Sequence, residues 1–234
     1  MFKNNLRLLV EFIVIISGVL LSFYIDDFRQ LQNKKLEKDI LIGELVITAR
    51  EDLKQIQNLK KDLIKVQDNI KILLKDIQDN RKDIEDKEIA INYLFISEKM
   101  SVSFFPQDGI FSQLISTGSL ELIKSNALKN LLLRNFTHYL DRNQANNRTL
   151  DDLYLDFVNN VDPFISVMSK DKQDASFIYT DRIVDSFSID SDYYLSNNFK
   201  AYLSSANTMV GKNIDMLNLF EKSYNQILEL ANKA

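Results

Sequence analysis

Apolar positions are distributed in three distinct ways along the chain. Leu8 to Ile25 reads LLVEFIVIISGVLLSFYI, eighteen residues with one charge. At about 1.5 Å per residue such a helix spans a hydrocarbon layer of about 30 Å with little to spare. Nothing later in the chain matches it, so the pattern predicts a single transmembrane anchor at 1–25. From Ile42 the pattern changes to a strict 3-4 spacing. Its seam runs Ile42, Leu45, Ala49, Asp52, Ile56, Leu59, Leu63, Val66, Ile70, Leu73, Ile77, Asn80, Ile84, Lys87, Ile91, Leu94, and thirteen of these sixteen positions are apolar. The residues between are mainly charged or amide side chains. This is the narrow stripe of a coiled coil, and it predicts one long helix over 26–100.

The third pattern begins at a break. Ser101 to Gly109 (SVSFFPQDG) is short, aromatic and punctuated by Pro106. A compact helix should follow from Gly109 to Thr117, with Gly118 as its C′ residue. Ser125 or Asn126 reads as the N-cap of a long helix from Ala127 to about Asn160, which Asp162-Pro163 ends. Ser169 to Ser191 is polar with scattered aromatics and reads as an irregular loop. A last helix, about Ser196 to Asn232, carries a second seam at Leu203, Val210, Ile214, Leu217, Tyr224, Ile227 and Ala231. Residues 101–234 thus form a helical head whose last helix can return toward the long one. The fold class is all-α. The two seamed helices can pair within the chain or between chains. Asp52, Asn80 and Lys87 either set the register of that pairing or mark where it frays.

Composition narrows the chemistry. Two prolines and five glycines in 234 residues leave few helix breakers. There is no cysteine and one histidine, His138. Disulfides, thiolate chemistry, His/Cys metal sites and a Ser-His-Asp triad are therefore out of reach, and no cofactor is implied. His138 sits in a helical segment and reads as a surface or satisfied core residue. After residue 25 the chain has 27 basic and 32 acidic residues, a net charge of −5. That balance argues against nucleic acid as a partner. No nucleophile–base pair, phosphate loop or calcium-loop spacing is present, so the chain reads as non-enzymatic. Asn135-Phe136-Thr137 and Asn147-Arg148-Thr149 match the glycosylation pattern, but both lie in a predicted helix and read as chance matches.

Two groups of residues stand out as candidate sites. Glu11, Gly18 and Ser22 lie with Ile15 on one stripe of the apolar helix at 4-3-4 spacing. Gly18 and Ser22 make a small-xxx-small pair that lets helices approach closely, and Glu11 is either a headgroup-level charge in the first turn or an interhelical contact. Phe104, Phe105 and Phe111 flank Pro106. They read as a core plug under the connection or as a surface for a partner or ligand.

The apolar helix with Glu11, Gly18 and Ser22, together with FSQLISTGSLELIKSNALKNLL (Phe111 to Leu132), resembles a family of small bacterial single-pass membrane proteins with a domain of unknown function. Gly118, Leu120, Leu122, Ile123 and Asn126 are the matching positions of the central segment. The apolar run is longer than a signal-peptide h-region and no A-x-A-like site follows it, so it reads as an uncleaved inner-membrane anchor, with membrane lipid, copies of the chain and a protein of unknown identity as the expected partners. The resemblance implies a domain of unknown function and no chemistry. Topology stays open: Lys3 and Arg7 precede the span, Arg29, Lys34, Lys35 and Lys38 follow it, and the family's leader is longer and more basic. The function expected from these features is an oligomeric scaffold or sensor at the membrane. The rival is an effector whose anchors perturb the bilayer when a ligand or partner binds the head.

Overall fold

A computed structural model describes the backbone of residues 2–81, 84–171 and 182–233, and side chains from residue 11 onward within those ranges. Helix α1 runs from Phe2 to Gln78 and α2 from Asp86 to Lys99. Then come α3 (Gly109–Ser116), a 3-10 turn (Ser119–Leu122) and α4 (Asn126–Leu133). Helix α4 runs through a π-turn (Arg134–Tyr139) into α5 (Leu140–Asn160). A hairpin of β1 (Ile165–Asp171) and β2 (Arg182–Ile189) precedes the single turn α6 (Ser191–Tyr194) and the long α7 (Asn197–Ala231). The protein is mostly helical, with one small antiparallel sheet.

The two seams meet each other. Every seam position from Ile42 to Ile77 is buried. Helix α7 lies antiparallel along them through Phe199, Leu203, Val210, Leu217, Phe220, Tyr224 and Ile227. Cross-links fix the direction: Tyr224 donates to Asp52, Lys60 pairs with Glu221 at 2.6 Å, Gln67 donates to the Asn207 carbonyl and Tyr194 donates to Asp76. The seamed helices therefore pair within the chain.

The first helix does not continue to Leu94. It stops at Gln78 because Asn80 and Arg81 both take positive φ (56°), a left-handed turn that satisfies the last carbonyls. Arg81 N–H donates to the Asp76 carbonyl at 2.8 Å. The Asp76 carboxylate accepts the Ile84 N–H at 3.2 Å and the Tyr194 hydroxyl at 2.8 Å. Arg81 pairs with Asp86, donates to Ser191 Oγ and lies over the Tyr194 ring. Side chains thus hold a reversal that no glycine or proline announces. After it the buried stripe moves to Ile89, Tyr93, Ile96 and Met100, and Ile91 is 50% exposed.

The irregular loop expected over Ser169–Ser191 is largely a hairpin, with residues 172–181 outside those described. Ile165 pairs with Ile189 and Val167 with Phe187, and a bulge follows Met168. Only Ile165 of the two strands is fully buried. Gly118 has φ +72, as its C′ assignment requires, and Ser125 caps α4 by accepting from Leu128 N–H. The helix expected from Ala127 is continuous to Asn160 apart from the π-turn.

Among the described residues, no helix is long and apolar enough to cross a membrane. The transmembrane helix read at Leu8–Ile25 is thus not found as a span. Its first three residues precede the described side chains, and the described remainder, Glu11 to Ile25, is fifteen residues.

Candidate functional site

Helix α1 divides into two halves with opposite surroundings. From Leu41 onward its seam is covered. From Glu11 to Glu37 every residue is exposed. The N-terminal half is thus an arm, helical from Phe2, that leaves the bundle beyond the end of α7. It carries eleven large apolar side chains from Phe12 to Ile25 in the open, among them Phe23 at 65% and Tyr24 at 70% exposure. Phe28, Leu31, Leu36 and Ile40 extend the apolar surface toward the body. Monomeric soluble proteins rarely expose a contiguous apolar patch of such extent. Helical backbone explains the arm's form: no proline occurs in it, and its β-branched and leucine residues satisfy their backbone groups internally.

Glu11, Gly18 and Ser22 all lie on this arm and all are exposed. A Cβ added at Gly18 would meet nothing within 4 Å, so no neighbour within the chain requires glycine there. The three residues share one stripe, with one chain present to display it.

The aromatic connection resolves differently for each residue. Phe104 and Phe111 are buried. Phe104 packs edge-on against Phe220 (centroids 5.1 Å), and Phe111 stacks on Phe136 at 5.0 Å. As parts of the core they present no surface, which leaves Phe105, 64% exposed, of the three. Buried amides hold the strand-like backbone of this connection. Asn143 and Asn147 both donate to the Phe104 carbonyl, at 2.7 and 3.1 Å, and Asn213 donates to the Val102 carbonyl at 3.1 Å. Gln107 donates through its backbone and its amide to the Asp52 carboxylate.

Asp52 is the centre of that joint. It is fully buried, and it accepts from the Tyr224 hydroxyl at 2.5 Å as well as from Gln107. Burial raises its carboxyl above the usual range, and the hydrogen bonds from Tyr224 and Gln107 oppose that rise. Burial also pushes the Tyr224 phenol well up, and the neighbouring Asp52 charge adds to this. The pair is a buried polar contact between α1 and α7. Asp76 with Tyr194 and Asp162 with Tyr93 (2.5 Å) repeat the arrangement elsewhere in the bundle. In each, a tyrosine hydroxyl on one element satisfies a carboxylate on another.

The other polar positions close no reactive constellation. His138 is exposed in the π-turn beside Tyr139. Asp151 and Asp152 are exposed, and Asp190 caps α6. Asn135 and Asn147 are buried, which is incompatible with glycan attachment in the folded chain. Among the described residues no three His, Cys, Asp or Glu side chains could share a metal ion.

Of the joint, Asp52 stands out in the sequence as a polar break in the seam, while Tyr224 reads only as a seam residue and Phe104 as part of the aromatic connection. Asn143 and Asn147 carry a faint signal in their i, i+4 spacing, and Asn213 in its place between Val210 and Leu217. Asp76 carries none, because its partners lie in the turn and in α6.

Fold and surface together define the class: a helical bundle with a projecting apolar helical arm. No protein-family model, curated protein or solved structure matches the chain.

Proposed function

We propose that the chain is a non-enzymatic, membrane-attached helical scaffold or sensor, with the arm inserted in a bilayer from Leu8 to Ile25 and the bundle held beside it. The observation that carries this reading is the exposure of eleven large apolar side chains on one unpartnered stretch of α1. Moving them out of water is worth on the order of 20 kcal/mol gross. The carboxylate of Glu11, three residues inside the run, costs about 3 kcal/mol even at the bilayer centre and less near the headgroups. Lipid therefore wins by a wide margin. The resemblance of the arm and of Phe111–Leu132 to small bacterial single-pass proteins supports the same reading and points to an inner membrane. The stripe of Glu11, Gly18 and Ser22 is where copies would associate.

The test is extraction of membranes from cells expressing the full chain. The protein is expected to stay with the pellet in alkaline carbonate and to leave it in detergent. Release by carbonate would overturn the reading. One cysteine at exposed Asp108, in a chain that has none, then reports by impermeant maleimide which side the bundle occupies.

A second reading rests on the placement of Glu11 on the face shared by Gly18 and Ser22. A carboxylate at a helix–helix contact suits an effector whose anchors rearrange within the bilayer. Toxicity on overexpression that Glu11→Ala abolishes favours the effector; a substitution that only weakens assembly favours the scaffold.

A further inference from the structure

Helix α1 carries an uncovered apolar face beyond the arm. Leu36, Ile40 and Ile47 are 62%, 55% and 60% exposed, and Gly43 lies exposed among them. At about 100° per residue these four fall within a strip roughly 60° wide. The buried seam of Leu41, Leu45, Ala49 and Asp52 lies on the opposite side of the helix, so the bundle does not obstruct this face. Gly43 has no role within the chain. A Cβ there would meet nothing within 4 Å, and a glycine inside a helix is less stable than an alanine. Gly18 is in the same position. These two are the glycines of α1, and 43 − 18 = 25 residues separate them. That is about seven full turns, so both stand on one line.

The line is the stripe of Gly18 and Ser22 prolonged. It passes Ile25, Arg29 and Asn33 before Leu36, in steps of three or four that average about 3.6 residues, the period of the helix itself. It therefore runs straight along α1, and a second helix laid against it needs no supercoil to stay in contact. Lipid does not reach its far end, because Ile47 lies about 33 Å beyond Ile25 along the axis. The charges beside the line suit a second copy. Across a two-fold axis parallel to α1, one flank of each helix faces the other flank of its mate. Glu51 of one copy then lies beside Arg50 and Lys54 of the other, and Asp26 beside Arg29. Arg50 and Lys54 have no carboxylate within ion-pair distance in their own chain among the described residues. Glu37, Asp39 and Glu44 lie farther round on the flanks, in solvent, where their repulsion is screened. Asn33, on the line itself, pairs with its own copy only when the two helices are parallel and in register.

We propose that a second copy of this chain docks on this face, parallel and in register, so that the two α1 helices run side by side from the bilayer to Ile47. The pairing rests on the membrane reading of the arm. Leu36, Ile40 and Ile47 offer roughly 250 Å² of apolar surface per copy, about a third of the 800 Å² or so per partner that a stable interface buries. The face outside the bilayer is thus too small to hold two copies alone. The arms supply the rest, by adding the Gly18 and Ser22 contact and by confining both copies to one plane in one orientation.

The test is disulfide scanning of the full chain in isolated membranes. The chain has no cysteine, so each variant carries one. Ile40→Cys and Ile47→Cys lie on the line, and Lys34→Cys and Lys35→Cys are exposed positions off it. All four are oxidised with copper phenanthroline. A disulfide needs Cα atoms within about 7 Å, so covalent dimer is expected at least about fivefold more abundant for the two variants on the line. Equal yields from all four, or no dimer from any, overturn the proposal. A cross-linked product of any mass other than twice the chain assigns the face to a different protein and overturns it as well. Gly43→Leu in the Ile40→Cys chain holds the helices apart and is expected to cut the dimer yield at least about threefold; an unchanged yield is equally fatal. The same membranes are extracted with alkaline carbonate. Chain that stays in the pellet without the dimer pattern defeats the pairing alone, whereas release into the supernatant defeats the membrane reading beneath it.

Discussion

Tyr224→Phe isolates the joint between α1 and α7. The substitution keeps the ring, which packs against Phe220 and Phe136, and removes the hydroxyl that donates to Asp52. No cavity of consequence forms, so the loss is the hydrogen bond alone. Asp52 Oδ2 keeps one donor, the Gln107 N–H at 3.1 Å. A hydrogen bond to a buried carboxylate in this setting is worth about 1–3 kcal/mol. For a cooperative unit of this size that corresponds to a melting temperature lower by about 3–10 °C. The assay is thermal unfolding of the full chain in non-ionic detergent, followed by circular dichroism. Asp52→Asn and the double variant complete a cycle. If the two side chains act as one joint, their effects are non-additive by about 1 kcal/mol or more. Additivity within about 0.4 kcal/mol would refute the joint and leave Asp52 as a buried acid held by Gln107 alone.

The raised carboxyl of Asp52 has a signed consequence for pH. The unfolded chain releases this proton first, near 3.8, so the stability that Asp52 contributes is present in full below that value and is lost as pH rises through the higher folded value; melting temperatures of the wild type relative to Asp52→Asn should fall over that window, and a rise would contradict the burial-dominated environment. Gly118→Ala should destabilise by about 1 kcal/mol, because φ is +72 while the added Cβ meets nothing, so the cost is backbone strain alone; denaturant titration measures it. Phe104→Ala should cost about 3–5 kcal/mol and Phe105→Ala less than about 0.5 kcal/mol, by the same titration, since one ring is buried among Phe220 and Tyr224 and its neighbour is 64% exposed.

What could be read in advance follows from the range of the interactions involved. The seam from Ile42 to Ile77 was legible because a period near 3.5 survives intact wherever one narrow face is covered. The α7 seam was legible for the same reason. The capping of α4 by Ser125 and the left-handed Gly118 were legible because both are local. The end of α1 at Gln78 was not, because the turn is made by Asn80 and Arg81 and secured by Asp76, Ser191 and Tyr194, more than a hundred residues apart in part. The seam spacing continues through Ile84, Ile91 and Leu94, of which Ile84 and Leu94 still pack inward, but α2 centres its buried stripe on Ile89, Tyr93 and Ile96 and leaves Ile91 exposed. The hairpin was hidden by its own exposure: β2 has no fully buried residue, so alternation along it is weak. Asp52 was visible as a break in the seam, but Tyr224 looked like one more apolar seam residue. The bond between them needed the antiparallel pairing to be known.

The pairing of α1 with α7 also sets what the arm can do. Helix α1 is continuous from Phe2 to Gln78, and among the described residues its buried contacts begin at Leu41. A continuous helix transmits rotation and tilt along its axis, so any change in how α1 seats against α7 appears at the arm. The joints that resist such change are few and specific: Asp52 with Tyr224 near the arm, Lys60 with Glu221 in the middle, Asp76 with Tyr194 at the far turn. Apolar packing between these points is non-directional and tolerates small shifts in register, whereas a buried carboxylate displaced from its hydroxyl is costly to leave unsatisfied. Among the described residues the bundle is accordingly fixed at a few polar points, Gln67 with the Asn207 carbonyl among them, along a seam that is otherwise compliant. The point nearest the arm, Asp52, joins α1 to α7 through Tyr224 and to the Phe104–Gln107 connection. Loosening that point would free the base of the arm without unfolding the far end.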